Sequence, residues 1–179
     1  MGKRVLVVFA TRYGSARVVA EDIARYLEAK GHDVEKKDLR AGRAPLDLSE
    51  FDFVVAGSSV AMFSWMAKAK AFLRKCRKAG VPTAVYVTCG MAIEEPEKAQ
   101  VRFLDKVIDR IGLRPELSRP IPPVIDFRPK EGLPGSLKGR IKATIEAMAK
   151  DKYEENGLMD FRDAGTFAAF LEEIENKLT

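Results

Sequence analysis

A short run of hydroxyl-bearing and glycine residues follows the first apolar segment of the chain. The segment from Val5 to Ala10 reads VLVVFA, and Thr11, Gly14 and Ser15 come soon after it, before an amphipathic run begins. The first backbone N–H groups of a helix have no partner inside the helix, and the helix dipole favours negative charge there. Thr11 and Ser15 add hydroxyl donors, and Gly14 lets the backbone approach a ligand closely. This order of residues predicts an anion site at the carboxyl end of a buried strand.

The loop lacks the motifs of the larger nucleotide-binding classes. Neither the GxxxxGK(S/T) pattern of P-loop NTPases nor the GxGxxG pattern of dinucleotide-binding folds occurs at this position. A loop that places hydroxyl groups around one glycine suits a single phosphate group, as in FMN. The alternative interpretation is an ordinary strand-to-helix turn in which Ser15 caps the helix without any ligand.

Two further loops follow apolar segments that we expect to be strands of the same sheet. In an open parallel sheet, ligands bind outside the carboxyl ends of the strands, near the point where the strand order switches. In the loop from Ser58 to Trp65, aromatic side chains can stack on a flat ring and serine hydroxyls can bond its edges. In the loop after Thr88, backbone N–H groups can come close to the same ring. The residues that we assign to this ligand site are Thr11, Arg12, Tyr13, Gly14, Ser15, Ala16, Ser58, Ser59, Val60, Ala61, Met62, Phe63, Trp65, Thr88, Cys89, Gly90 and Met91.

Two residues of this set have an alternative interpretation. Trp65 can supply a stacking face, or it can be the first core residue of the helix that follows it. Cys89 can be read as a redox thiol, but no basic residue stands next to it in sequence to favour the thiolate. We therefore assign no catalytic residue and expect Cys89 to contribute through its backbone.

Strand and helix patterns alternate along the chain. The segments predicted to form strands are Arg4–Phe9, Asp33–Leu39, Phe51–Gly57, Thr83–Thr88 and Ile121–Phe127. Apolar residues at helical spacing predict helices between strands, an extra basic helix around residues 137–150, and a last helix that ends near Leu178. This alternation predicts an α/β fold with a parallel sheet covered by helices on both faces, in one domain spanning residues 1–179. Prolines around Ile121 place the fifth strand at a sheet edge, because proline lacks a ladder donor.

The amino-acid composition limits the classes of protein to which the chain can belong. The chain has 179 residues, of which 46% are hydrophobic and 32% charged, as in a globular domain with a sizeable core. Its two cysteines are separated and it holds one histidine, so we expect neither a disulfide framework nor a zinc site. No apolar run approaches the roughly 20 residues of a membrane span. We expect a cytoplasmic protein.

Positive charge is concentrated late in the chain. The formal net charge is +5, and the segment from Phe127 to Tyr153 holds seven basic and three acidic residues. A basic surface of this kind favours an acidic protein partner or peripheral contact with an anionic membrane. The alternative is a solvated helix face. No nucleic-acid-binding motif accompanies the charge, so we expect no nucleic-acid partner.

Three segments carry a resemblance to a known family. They are VVFATRYGSA at the first strand, FDFVVAGSSVAMFSW with AKAFLRK at the third, and DFRDAGTFAAFLEEI near the C-terminus. Together they resemble the flavodoxin-like superfamily, and more closely the flavodoxin-domain group that includes the short quinone-dependent protoporphyrinogen oxidases. The resemblance implies a three-layer sandwich around a five-stranded parallel sheet in the order 2-1-3-4-5.

The same resemblance implies a cofactor and a role. FMN would place its phosphate in the loop from Thr11 to Ala16, and its ring between the loops at 58–65 and 88–91. The implied function is electron transfer with a redox partner protein, or oxidation of protoporphyrinogen with quinone as the acceptor.

The sequence departs from the family pattern at three points. Ala16 stands where the phosphate loop usually ends in threonine, and Phe63 stands where glycine is common. The third loop has no tyrosine or tryptophan to cover the outer face of the ring. These departures motivate an alternative function, an interaction module that keeps the fold and has lost FMN. A response-regulator fold is excluded, because no acidic cluster follows the first strand.

Overall fold

The structure is a computed structural model that describes residues 2–42, 46–61, 63–126 and 158–179. The predicted basic helix at 137–150 and the candidate site residue Met62 lie outside the described residues.

A parallel sheet forms the centre of the protein. Its strands are β1 (Arg4–Ala10), β2 (Asp33–Asp38), β3 (Phe53–Ala61), β5 (Thr83–Thr88) and β6 (Leu117–Ile121), and a two-residue strand, β4 (Ser64–Trp65), pairs antiparallel with the end of β3. The parallel strands lie in the order β2-β1-β3-β5-β6. This is the predicted 2-1-3-4-5 order once the short β4 is set aside, and the prediction is confirmed.

Helices cover both faces of the sheet. They are α1 (Ser15–Ala29), α2 (Ala67–Ala79), α3 (Pro96–Ala99), α4 (Lys106–Ile111) and α5 (Ala164–Leu178), with a π-helical segment, Gln100–Asp105, joining α3 to α4. Short 3-10 turns occupy Leu48–Glu50 and Gly90–Ala92. The described part of the chain holds no helix long and apolar enough to cross a bilayer.

Two apolar clusters hold the three layers together. On one face, α1 and α5 pack on the sheet through residues such as Ile23 and Ile174, both fully buried. On the other face, α2 and the run from α3 to α4 pack through Leu73 and Leu104, also fully buried. The strands β1 and β5 are apolar on both sides because both of their faces meet helices.

The prediction for the fifth strand is wrong in its boundaries. The edge strand of the main sheet is Leu117–Ile121, while Val124–Asp126 forms β7, which pairs antiparallel with β8 (Leu158–Asp160). Pro120 is tolerated inside β6 because the strand lies at an edge, and Pro122 and Pro123 end it. The apolar run after the prolines therefore belongs to a separate two-stranded sheet.

Candidate functional site

The loops after β1, β3 and β5 meet a fourth segment at one cavity. The cavity has a volume of about 140 Å³. Its lining residues are Tyr13, Ser15, Ser59, Val60, Thr88, Cys89, Gly90, Pro123, Val124 and Ile125. The three loops converge because the carboxyl ends of parallel strands lie at the same edge of the sheet. The structure thus brings together residues from all three predicted loops.

The first loop is shaped by Gly14 and Thr11. Gly14 has a φ of 94° and stands at the N-cap of α1, where its carbonyl accepts hydrogen bonds from the N–H groups of Arg17 (3.0 Å) and Val18 (3.1 Å). The hydroxyl oxygen of Thr11 accepts a bond from the Gly14 N–H at 3.0 Å. A left-handed φ favours glycine, because a Cβ would strain this conformation.

Backbone donors at the start of α1 remain available. Within the described residues, the N–H groups of Tyr13, Ser15 and Ala16 donate to no acceptor. The first turn of α1 holds no acidic residue, so its positive dipole end is not offset there. Ser15 does not cap the helix, since its Oγ accepts a bond from the N–H of Val124 at 3.1 Å. The loop therefore has the donors of an anion site, and the interpretation of Ser15 as the cap is wrong.

The two serines at the start of the second loop, Ser58 and Ser59, make different contacts. Ser58 is fully buried, and its Oγ accepts from the Met66 N–H (3.2 Å) and donates to the Ser59 carbonyl (3.1 Å), so it holds the loop. Ser59 lines the cavity, and its Oγ accepts from the Arg12 N–H at 3.2 Å, which ties the second loop to the first. Arg12 itself is exposed.

Two aromatic residues of the second loop have opposite environments. Trp65 is only 5% exposed, and its Nε1 donates to the carbonyl of Phe103 inside the core. This environment agrees with the second interpretation of Trp65, in which it is the first core residue of the helix that follows. Phe63 is 76% exposed, has a φ of 61°, and lies under the guanidinium of Arg102, 5.2 Å from the ring centroid. Phe63 is therefore the accessible aromatic side chain of the second loop, although it does not line the cavity.

The third loop presents a buried hydroxyl and an open glycine. Thr88 is 2% exposed, and its Oγ1 is buried with no hydrogen-bond partner among the described residues. Nothing lies within 4 Å of the position that a Cβ would take at Gly90, so the space beside Gly90 is open. Burial raises the pKa of the Cys89 thiol, which keeps it protonated at neutral pH. Met91 is half-buried against the core and does not line the cavity.

Sequence reasoning missed two contributors to the site. The segment Pro123–Ile125 closes the cavity, although it lies 109 residues from Ser15, which it contacts. Arg40, just after β2, donates from Nη1 to the carbonyl of Thr11 at 2.6 Å and brings a positive charge to the first loop. Their positions in the sequence could have indicated them, because Arg40 and Pro123–Ile125 each follow a strand that ends at the same sheet edge as the predicted loops.

The chain matches a family model, and its fold is similar to solved structures. The family model described as Flavodoxin domain matches residues 6–118. A short-chain flavodoxin associated with a non-canonical PDU bacterial microcompartment is 14% identical, with a TM-score of 0.56, over 99% of this chain and 99% of its own. Oxidised flavodoxin 1 from Bacillus cereus is 14% identical, with a TM-score of 0.56, over 98% of this chain and 99% of its own.

A longer protein contains a similar unit. A mutant of the flavo di-iron protein from Thermotoga maritima is 14% identical with a TM-score of 0.56. The match covers 100% of this chain and 37% of that protein, so the chain spans about a third of its length. At these identities the likenesses show the fold. The sequence matches none of the curated proteins with which it was compared.

Proposed function

The chain belongs to the family described as Flavodoxin domain, and from that premise we propose that it is an FMN-binding redox protein that exchanges electrons with a partner. One observation carries the proposal: the backbone N–H groups of Tyr13, Ser15 and Ala16 donate no hydrogen bond to any of the described residues. They stand at the start of a 15-residue helix with no acid in its first turn. Such a helix start attracts a phosphate group.

The cavity suits one end of FMN better than the whole molecule. Its volume of about 140 Å³ is below the roughly 300–1,000 Å³ of pockets that enclose a drug-sized ligand. It therefore suits the phosphate and the adjoining chain. Under the proposal the ring lies outside the cavity, beside the open side of Gly90 and the exposed Phe63 of the second loop. Arg40 and Arg12 add positive charge beside the phosphate loop.

The Thr88 hydroxyl, which has no partner in the part of the chain that the structure describes, also fits a bound cofactor. A buried polar group without a partner destabilises a fold, so its presence calls for an explanation, and a bound ligand that completes its hydrogen bonding is one. When bound, FMN supplies the electron transfer, while the protein supplies binding, orientation and electrostatics. In this role Ser59 and Thr11 hold the loops in place, and no side chain of the site needs to act as a general base.

The test is an absorbance spectrum of the purified protein, followed by titration of FMN fluorescence. We expect flavin absorbance bands, or fluorescence quenching with a dissociation constant below about 1 µM, since the site supplies several charge-assisted hydrogen bonds. A folded protein that stays colourless and leaves FMN fluorescence unchanged at a protein concentration of about 100 µM, far above that constant, would contradict the proposal.

That second outcome would favour an interaction module that has lost FMN. The observation in its favour is Phe63, a bulky and exposed residue in a left-handed conformation, three residues after Val60, which lines the cavity. Under this alternative, the exposed ring is a contact for another protein.

The proposal includes a more specific activity for the FMN-bound protein. Oxidation of protoporphyrinogen with quinone as the acceptor is supported by the sequence resemblance alone. Its test is reduction of a quinone by the FMN-loaded protein in the presence of the porphyrinogen. The proposal also includes a cytoplasmic location, which the two separated cysteines of the sequence support. An acidic partner or an anionic membrane as the contact of residues 137–150 is supported by the positive charge of the sequence around them.

A further inference from the structure

A second, larger cavity lies between the π-helical segment, β6 and α5. Its volume is about 790 Å³, within the roughly 300–1,000 Å³ of pockets that enclose small molecules. None of the residues that the structure describes lines both cavities. We propose that this second cavity binds a neutral aromatic molecule that carries a hydroxyl group. The proposal goes beyond FMN binding and does not depend on it.

Aromatic side chains form one wall of the second cavity. Phe161, Phe167 and Phe170 line it, and the rings of Phe167 and Phe170 lie 6.4 Å apart between centroids with a tilt of 37°. Ile93 and Val101 lie at its exposed side, 37% and 52% accessible. Flat apolar faces of this kind bind aromatic rings, which pack against them in offset or edge-to-face geometry. The walls therefore favour a ligand with one or more fused rings.

Among the described residues, both guanidinium groups that line the cavity are paired with carboxylates. Arg119 pairs with Glu173 and lies 5.9 Å from the ring centroid of Phe170. Glu173 therefore already offsets the charge of Arg119 that a carboxylate or phosphate ligand would meet. The Arg119 Nε is buried with no hydrogen-bond partner among the described residues, so it can donate one bond to a ligand oxygen, including that of a neutral hydroxyl.

The second guanidinium of the lining is neutralised as well. Arg162 binds Asp160 through two of its nitrogens and Asp22 through a third at 2.8 Å. The acidic side chain of Glu97 also lines the cavity and would repel an anion. A cation would instead face Arg119 and Arg162. The balance favours a neutral ligand.

Gln100 and Ser118 determine which polar group the ligand carries. The Gln100 Nε2 donates to Asp105 Oδ1 at 2.8 Å and to Ser118 Oγ at 2.9 Å, which uses both of its hydrogens. The assignment of the amide is fixed because a carboxylate only accepts hydrogen bonds. Among the described residues, the Gln100 Oε1 is left to accept and the Ser118 hydroxyl hydrogen is left to donate. A ligand hydroxyl can satisfy both at once, whereas a carbonyl or an ether can only accept.

The experiment uses 2-naphthol as the probe and the full chain, with and without excess FMN. Amide shifts in a ¹⁵N–¹H correlation spectrum locate the probe. We expect saturable shifts at Ile93, Val101, Ser118 and Thr166, with a dissociation constant on the order of 0.1–1 mM for so small a ligand. The same shifts without FMN separate this inference from FMN binding, because they require no cofactor.

Three analogues test the chemistry of the ligand. We expect 2-naphthoate and 2-naphthylmethylammonium to bind at least tenfold more weakly than 2-naphthol, because of their charge. We expect 2-methoxynaphthalene to bind several-fold more weakly, because it cannot donate to Gln100. A naphthoate that binds as tightly as naphthol would overturn the proposal.

Variants test the location. Val101→Asp places a charge at the exposed side and is expected to weaken 2-naphthol binding at least tenfold, and Ser118→Ala several-fold. Lys106→Asn is the control, since it makes the same change of net charge at an exposed residue outside the cavity lining and should leave binding unchanged. Unchanged binding to the folded Val101→Asp protein, no saturable shifts, or shifts confined to Tyr13, Gly14 and Gly90 would each overturn the proposal.

Discussion

Gly57 of β3 lies directly against the ring of Tyr86 of β5. The two residues are register partners, and a Cβ at residue 57 would lie 1.9 Å from Cζ of the Tyr86 ring. Tyr86 is fully buried, and its hydroxyl donates to the carbonyl of Ala16 at 2.7 Å. The absence of a side chain at Gly57 thus allows Tyr86 to reach across to the first turn of α1, where the proposed phosphate loop ends.

Gly57→Ala is expected to destabilise the protein strongly. The added methyl group would overlap the Tyr86 ring, and overpacking of this kind typically costs about 1–3 kcal/mol or more. We expect a loss of about 3 kcal/mol in the free energy of unfolding, measured by urea denaturation. Tyr86→Phe is the comparison, because it keeps the ring and removes one hydrogen bond, for an expected loss of about 1 kcal/mol. A change below about 0.5 kcal/mol in Gly57→Ala would contradict the packing described here.

Stability is expected to fall as the pH rises above about 9. Burial raises the pKa of the Cys76 thiol from its usual 9.0 to about 12, and it also raises the pKa of Cys89. Above pH 9 the unfolded chain releases thiol protons that the folded chain retains, so the unfolded state is favoured. Urea denaturation under reducing conditions at pH 7, 9 and 10 measures how the free energy of unfolding changes with pH.

A variant at Cys76 identifies the source of that pH dependence. Cys76→Ala loses buried contacts and should be less stable at every pH. Its stability should nevertheless fall less than that of the parent between pH 9 and pH 10. An equal slope in both proteins would show that Cys76 does not contribute.

Gly14→Ala is expected to weaken FMN binding, and Gly31→Ala is its matched control. Both glycines have left-handed backbone angles, with φ of 94° and 90°. The strain of a Cβ should therefore cost each variant about 1–2 kcal/mol of stability. Only Gly14 lies in the proposed phosphate loop, so we expect at least a tenfold loss of FMN affinity in Gly14→Ala and none in Gly31→Ala, measured by fluorescence titration. Equal affinities of the two variants would place the phosphate elsewhere.

The sequence predicted the sheet and the three loops well, because both depend on local patterns. Continuous apolar strands such as β1 and the glycine that follows it can be recognised within a dozen residues. The position of Val124 could not be predicted from local patterns, because its contact with Ser15 joins residues 109 positions apart. Trp65 stayed ambiguous for another reason: an indole before a helix looks the same in sequence whether it faces the core or a ligand.

Phe63→Gly is expected to weaken FMN binding while leaving the fold at least as stable. Phe63 has a φ of 61°, and glycine relieves a strain of roughly 1–2 kcal/mol there. Under the proposed function, the loss of a stacking ring should reduce FMN affinity about three- to tenfold, since aromatic contacts contribute about 0.5–1.5 kcal/mol. Phe63→Tyr, which keeps the ring, should bind FMN as the parent does. Tighter binding in Phe63→Gly would show that the side chain blocks the ring.

Thr88→Val is expected to act in opposite directions on stability and on FMN binding. The Thr88 Oγ1 is buried without a partner among the described residues, so replacing it with a methyl group should stabilise the cofactor-free protein by about 1 kcal/mol. If FMN is the missing partner, the same change should lower FMN affinity about three- to tenfold. The two effects together distinguish a hydroxyl kept for a ligand from one that serves the fold.

Thr83→Val is the matched control for that experiment, because it makes the same substitution at the other end of β5. The Thr83 hydroxyl donates to the carbonyl of Val81 at 2.8 Å, so its removal should destabilise the protein by about 1 kcal/mol and leave FMN binding unchanged. Urea denaturation without FMN and fluorescence titration with FMN measure the two quantities. Stabilisation by Thr88→Val with unchanged FMN affinity would show that the Thr88 hydroxyl does not contact the cofactor. Loss of stability in both variants would show that Thr88 is bonded within the fold.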